Sequence, residues 1–84
     1  MKLIFSEQAW DDYLYWQSQD PKLVLRINGL IKESTRTPFV GPGKPELLRG
    51  ALSGWWSRRI NAEHRLVYRP TPEGLLIAQC RYHY

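Results

Sequence analysis

Ten residues in the middle of the chain, "TPFVGPGKPE" at 37–46, hold three prolines and two glycines. Neither a helix nor a strand tolerates that density of backbone breakers, so the segment reads as a surface loop. It also divides two halves whose apolar residues recur with different periods. Before it, Leu23, Ile27, Leu30, Ile31 and Ser34 fall at helical spacing. After it, apolar and polar residues alternate over 55–60, 64–70 and 75–82, the period of strands. Neither half is long enough to bury a core alone, so the loop is a connection within one domain, residues 1–84, and not a linker. Helices followed by strands predict an α+β fold: a mainly antiparallel sheet with two N-terminal helices packed on one face.

Local signals sharpen the boundaries. "KLIF" (2–5) is a short strand candidate, and Ser6 is placed to cap a helix with Glu7 and Gln8 in its first turn. That helix should run to about Gln19, with Trp10, Tyr13 and Leu14 on its inner face. Asp20-Pro21 then supplies a cap and a proline at the first helical position, and a second helix should reach about Arg36. Gly29 inside it, about 1 kcal/mol worse than alanine, suggests close packing. "ELLR" (46–49) adds a further short strand, and the three longer strands join through turns at 61–63 and at "PTPEG" (70–74).

Composition enters where it excludes function. A chain of 84 residues must pack densely, and four Trp, five Tyr and two Phe supply the means. No apolar run is long enough to span a bilayer, and Glu7, Asp11 and Asp12 do not fit a secretory signal. The single cysteine, Cys80, lies in an apolar run and reads as a small buried hydrophobe. With no internal disulfide to form, the chain suits a reducing cytoplasm. The net charge of +4 is unevenly distributed. Residues 1–43 are balanced, whereas residues 44–84 carry Lys44, Arg49, Arg58, Arg59, Arg65, Arg69 and Arg81 against Glu46, Glu63 and Glu73. Arginine forks bind two phosphate oxygens at once, so the second half favours nucleic acid over a merely solvated basic face.

Alternation assigns faces. Leu66 and Tyr68 point one way; Arg65, Val67 and Arg69 point the other. Arg81 falls with Ile77 and Gln79, and His83 joins them if the chain stays extended to its last residues, "RYHY" (81–84). The face without helices would then gather arginines and end in a histidine.

No metal-ligand spacing, phosphate loop or nucleophile elbow is present, so no cofactor is expected. What remains suits metal-free cleavage of RNA by its own 2′-hydroxyl, which needs a base, cations for the charge on phosphorus, and an acid for the leaving 5′-oxygen. Glu46 is the candidate base. Arg65, with Arg59 or Arg49, is the candidate phosphate clamp, and Lys44 lies in the same basic stretch. His83 is the candidate acid, since histidine ionises near neutrality. Each has a plainer alternative: Glu46 as a carboxylate paired with an arginine, Arg65 as a strand-surface residue, His83 as a frayed end. His64 is expected to be structural, on the packed side with Leu66. Of Trp55 and Trp56, at least one must be core, while the other could stack on a base. On spacing alone, an active site and a plain nucleic-acid-binding surface stand level.

Three stretches break that tie. The opening "KLIFSEQAWDDYLYW" (2–16), the run "GKPELLRGALSGWWSRRINAEHRLVYR" (43–69) and the ending "CRYHY" resemble the YoeB/Txe family of bacterial toxins in the RelE/ParE superfamily. The resemblance covers residues 2–84 without insertion. It implies a ribosome-dependent mRNA endonuclease that arrests translation in the cytoplasm. The implied partners are the ribosome and its message, an antitoxin of the YefM/Phd type, and operator DNA only as the toxin–antitoxin complex. Carried over by position, Glu46 resembles the general base, His83 the general acid, Arg65 the phosphate stabiliser with Arg59 in support, and Tyr84 a positioning residue. Arg49 stands where the family commonly has lysine. The rivals are a ParE-like gyrase poison and a non-catalytic nucleic-acid-binding repressor. Whether the free toxin forms a homodimer, and which codons it prefers, the sequence leaves open.

Overall fold

The computed structural model describes residues 1–83. Along the chain run β1 (Lys2–Phe5), α1 (Glu7–Gln19), α2 (Pro21–Arg36), β2 (Glu46–Leu47), a short 3-10 turn (Gly50–Leu52), β3 (Trp56–Arg59), β4 (Arg65–Pro70) and β5 (Gly74–Gln79). The sheet order is β1-β5-β4-β3-β2. All neighbours are antiparallel except β1 and β5, which run parallel. The two-layer α+β architecture expected from the change of period is therefore the one observed.

Both helix starts follow from their caps. The Ser6 hydroxyl accepts the Ala9 amide at 3.0 Å and donates to the Ala78 carbonyl at 2.8 Å, so one side chain caps α1 and ties it to β5. Asp20 accepts the Leu23 amide at 3.2 Å, and Pro21 opens α2. Ile27, Leu30, Ile31 and Ser34 form the buried stripe of α2. They meet Leu66, Tyr68, Leu75 and Ile77 from the sheet in a single core.

The inner face of α1 differs from the expected one. Ala9, Asp12 and Trp16 are buried, whereas Trp10 and Leu14 are 48% and 42% exposed. Tyr13 is half-buried and packs with Phe5 and Trp10 in an aromatic group at the β1 edge. Asp12 points inward because the backbone beyond β5 needs an acceptor: its Oδ2 takes the Cys80 amide at 3.0 Å, and its Oδ1 takes Gln8 Nε2 at 2.8 Å. Gly29 does not mark close packing. It is exposed, and a Cβ added there would meet no atom within 4 Å.

The last strand also ends earlier than expected, at Gln79 and not at residue 82. Val67 pairs with Gln79 while Tyr68 pairs with Ile77, so β5 carries one extra residue at Ala78. A bulge of this kind shifts the alternation by one. Ile77 consequently faces the helices and Gln79 the open side. Arg81, beyond the end of β5, does not join Gln79 on the open face. Its guanidinium stacks 3.5 Å from the Tyr15 ring centroid, against α1.

Candidate active site

Register defines the open face. Glu46 of β2 lies opposite Ser57, Ser57 opposite Val67, and Val67 opposite Gln79, one row running across the sheet. Two residues along β3 and β4, Arg59 lies directly opposite Arg65. Cross-strand partners share a face, with Cα atoms about 4.5–5.5 Å apart, and diagonal neighbours such as Glu46 and Arg59 about 7–8 Å apart. Placing two cations directly opposite each other is unfavourable for a sheet. No carboxylate among the described residues forms an ion pair with either.

Arg65 is fixed by its neighbours although it faces the open side. It is only 8% exposed. Its Nη1 donates to the carbonyls of Asn61 at 2.7 Å and His64 at 3.1 Å, within the turn that precedes β4. Among the described residues its Nε and Nη2 have no partner, so one edge of the fork remains available to an anion. Arg59 is exposed, but its backbone is held on both sides. Its amide donates to the Gly43 carbonyl at 2.6 Å, and its carbonyl accepts Arg26 Nη2 at 3.1 Å.

The other flank of Arg65 is the chain end. The Arg65 amide donates to the Tyr82 carbonyl at 3.1 Å, and the Tyr82 amide donates to His64 Nδ1 at 2.7 Å. Upstream, Trp16 Nε1 donates to the Cys80 carbonyl at 2.9 Å. Residues 80–82 are thus docked beside the start of β4. Tyr82 turns there with φ +66°, so the chain leaves the extended path. His83 follows and is exposed. Arg65 accordingly stands between Arg59 and the segment that carries His83, one row from Glu46. Tyr84 lies outside the described residues.

The remaining sequence candidates sit at the rim. Lys44, Glu46 and Arg49 are all exposed. Lys44 has φ +51° where the loop enters β2, and Arg49 precedes the 3-10 turn. Glu46 has no ion pair with any described residue, contrary to its plainer alternative. His64 lies on the packed side as expected, its ring edge-on to Trp16 at 4.7 Å. Trp56 packs on the core and against Phe39 at 4.8 Å. Cys80 is fully buried, and its thiol is pushed up to about 12 by burial and then by the Asp12 carboxylate.

Sequence reasoning missed Arg58. One of the seven basic groups counted after the loop, it is fully buried on the helix side. Its Nε donates to the Tyr68 hydroxyl at 3.1 Å, Nη1 to the Pro42 carbonyl at 2.9 Å, and Nη2 to the carbonyls of Val40 at 2.9 Å and Thr37. The Tyr68 hydroxyl donates onward to the Pro38 carbonyl at 2.6 Å. Two neighbouring side chains thereby pin the Pro/Gly loop that delivers Lys44 and Glu46. Gly43, at φ +83°, passes so close that a Cβ would sit 3.0 Å from Arg58 Cβ and 3.1 Å from the Arg59 carbonyl. Alternation contained the signal: consecutive arginines in a strand must face opposite ways.

The open face therefore joins an exposed carboxylate, two opposed arginines and a docked histidine-bearing segment. A family model described as YoeB-like toxin of bacterial type II toxin-antitoxin system matches residues 5–84. The chain is 66% identical to Toxin YoeB of Escherichia coli over 84 residues, with both chains covered in full. It is similar to the solved YoeB/ParE toxin from Agrobacterium tumefaciens, with a TM-score of 0.96 and 53% identity over all of both chains. Similarity to a chain of the heterotetrameric YoeB-YefM toxin-antitoxin complex from Staphylococcus aureus reaches a TM-score of 0.92 at 48% identity, covering 100% of this chain and 98% of that one. This protein belongs to the YoeB-like toxins of bacterial type II toxin–antitoxin systems.

Proposed function

We propose that this toxin is an endoribonuclease that cuts messenger RNA on the ribosome and so inhibits translation. The observation that carries the reading is the position of Arg65, held between Arg59 and the docked chain end, one row from Glu46. Glu46 takes the proton from the 2′-hydroxyl, which attacks the adjacent phosphorus. Arg65 and Arg59 balance the charge that builds on the phosphoryl oxygens, where preorganised cations act most strongly. His83, as imidazolium, gives its proton to the departing 5′-oxygen. The products are a 2′,3′-cyclic phosphate and a 5′-hydroxyl. Tyr84 and Arg49 complete the set as a positioning residue and a phosphate contact, with Lys44 at the rim.

A single small basic face makes few phosphate contacts, and each weakens with salt. Alignment must then come from the ribosome, which holds the message in place. The test is cell-free translation with added toxin, followed by primer extension, beside the same RNA without ribosomes. Discrete cuts in ribosome-bound message, with naked RNA nearly untouched, are expected. Equal cutting of both would overturn ribosome dependence. Arrest without any cut, or inhibition of gyrase instead, would overturn the nuclease reading.

The physiological inhibitor in this reading is a YefM/Phd-type antitoxin. An excess of +4, gathered in the half that builds the open face, favours an acidic segment that folds as it binds.

A further inference from the structure

We propose that His64 is a positioning residue for the reaction: its unprotonated ring nitrogen clamps the Tyr82 backbone and so aims His83 at the arginine pair. This rests on the reading of His83 as the general acid. Tyr82 is bracketed by two hydrogen bonds, its amide to His64 Nδ1 at 2.7 Å and its carbonyl from the Arg65 amide at 3.1 Å. The bracket holds Tyr82 at φ +66°, a left-handed conformation that is unfavourable for a residue with a side chain. Released from it, Tyr82 has a local reason to return to negative φ. A rotation of that size at residue 82 would swing His83 away from Arg65.

His64 is built to serve as a fixed acceptor. Its amide donates to Asn61 Oδ1 at 2.9 Å, and its carbonyl accepts the Ile60 amide at 3.0 Å and Arg65 Nη1 at 3.1 Å. Its ring stands edge-on to Trp16, the same side chain that holds the Cys80 carbonyl. One tryptophan thus steadies both the clamp and the segment clamped. An amide can only donate, so the ring nitrogen facing Tyr82 must carry a lone pair; an imidazolium has none. The charged residues next to His64 in sequence are Glu63 and Arg65, and Arg81 of the clamped segment lies 4.5 Å from the Tyr82 ring. Asp12 of α1 holds the Cys80 amide, and Arg26 of α2 holds the carbonyls of Arg59 and Ile60. Protonation of that nitrogen would therefore remove the acceptor and open the bracket.

Two variants separate the clamp from simple folding. His64→Leu keeps an apolar body against Trp16 and removes the acceptor. His64→Asn returns an acceptor oxygen that does not titrate. For both and for the parent, the measurements are thermal melting, the Tyr82 amide resonance against pH, ribosome co-sedimentation, and single-turnover cleavage against pH. In the parent, the Tyr82 amide should titrate together with the His64 ring, an outcome that does not depend on whether the protein cuts RNA. His64→Leu should bind ribosomes as before but cleave about 10²-fold more slowly, the loss expected when a general acid is misplaced. His64→Asn should recover most of that loss and stay active to lower pH than the parent. A Tyr82 amide indifferent to His64 protonation would overturn the clamp. So would a His64→Leu variant that cleaves like the parent, or a His64→Asn variant no better than His64→Leu.

Discussion

Replacing Arg58 by methionine should destabilise this toxin far more than the same change at Arg59. The substitution keeps an unbranched stem, shorter than arginine, and removes every donor. Four hydrogen bonds disappear: the Pro42 carbonyl loses its donor, while that of Thr37 keeps only the Val40 amide at 3.4 Å and that of Val40 only the Thr37 hydroxyl at 3.3 Å. A hydrogen bond from a charged donor contributes about 1.5–3 kcal/mol. The loop lies at the surface, so water recovers part of that, and a net loss of about 3–5 kcal/mol follows. A chain of 84 residues has roughly 4–13 kcal/mol of total stability, so the variant should sit near the edge of folding. At about 4–8 °C per kcal/mol for a domain of this size, its melting temperature should fall by roughly 15–30 °C. Arg59→Met is the internal control: Arg59 is exposed and its structural bonds come from the backbone. It should change stability by no more than about 0.5 kcal/mol. Melting followed by circular dichroism, with urea unfolding at 25 °C beside it, measures both. If Arg58→Met melted within about 4 °C of the parent, a shift worth less than about 1 kcal/mol, the buried guanidinium would not be what holds the loop.

Removing His83 and Tyr84 together should leave a protein that melts like the full chain and still co-sediments with ribosomes, because the core ends at Cys80. Cleavage should fall by at least about 10²-fold, the lower end for a general acid; a far lower melting temperature would instead make the segment structural. Burial raises the Cys80 thiol from 9.0 to about 12, so it should resist alkylation at pH 8 in the folded protein and react once unfolded. Because the folded state holds that proton more tightly, its contribution to stability is complete below about pH 9 and fades as pH rises towards 12. Melting temperatures over that range, for the parent and for Cys80→Ala, should show a shallower alkaline decline in the variant. In a complex with its antitoxin, Arg59, Arg65 and His83 should be covered or displaced. A crystal structure of the complex with all three exposed and in unchanged geometry would contradict that.

Much of this architecture is legible because local signals agree. Ser6 and Asp20-Pro21 are caps with a mechanism, and the Pro/Gly density at 37–46 can only be a loop. The misreadings have physical causes. Asp12 breaks the expected pattern of α1 because a buried backbone amide at Cys80 needs an acceptor, and periodicity does not count hydrogen bonds. Ile77 departs from its expected side because a one-residue bulge at Ala78 reverses the phase of alternation, and Arg81 departs from its own because β5 ends at Gln79 and the chain turns towards Tyr15 of α1. Arg58 is hidden by its charge, since an arginine with only neutral oxygen partners looks like a surface residue until the loop is folded over it. For the candidate site, alternation sets Arg65 away from Leu66 and Tyr68, but that Arg59 shares its face follows from the β3–β4 register. That the chain end docks beside Arg65 depends on the His64–Tyr82 contact, across 18 positions of sequence.

The chemistry of the cut ends tests the central claim most directly. Ribosome-bound message cleaved by the toxin would be isolated and its new ends analysed, with Glu46→Gln as the control for the base. A 2′,3′-cyclic phosphate upstream and a 5′-hydroxyl downstream are expected, with the glutamine variant slower by about 10²–10⁴-fold. A 5′-phosphate on the downstream fragment would mean that water attacks instead of the 2′-hydroxyl. Glu46, Arg65 and His83 could then not serve as base, clamp and acid for attack by the 2′-oxygen.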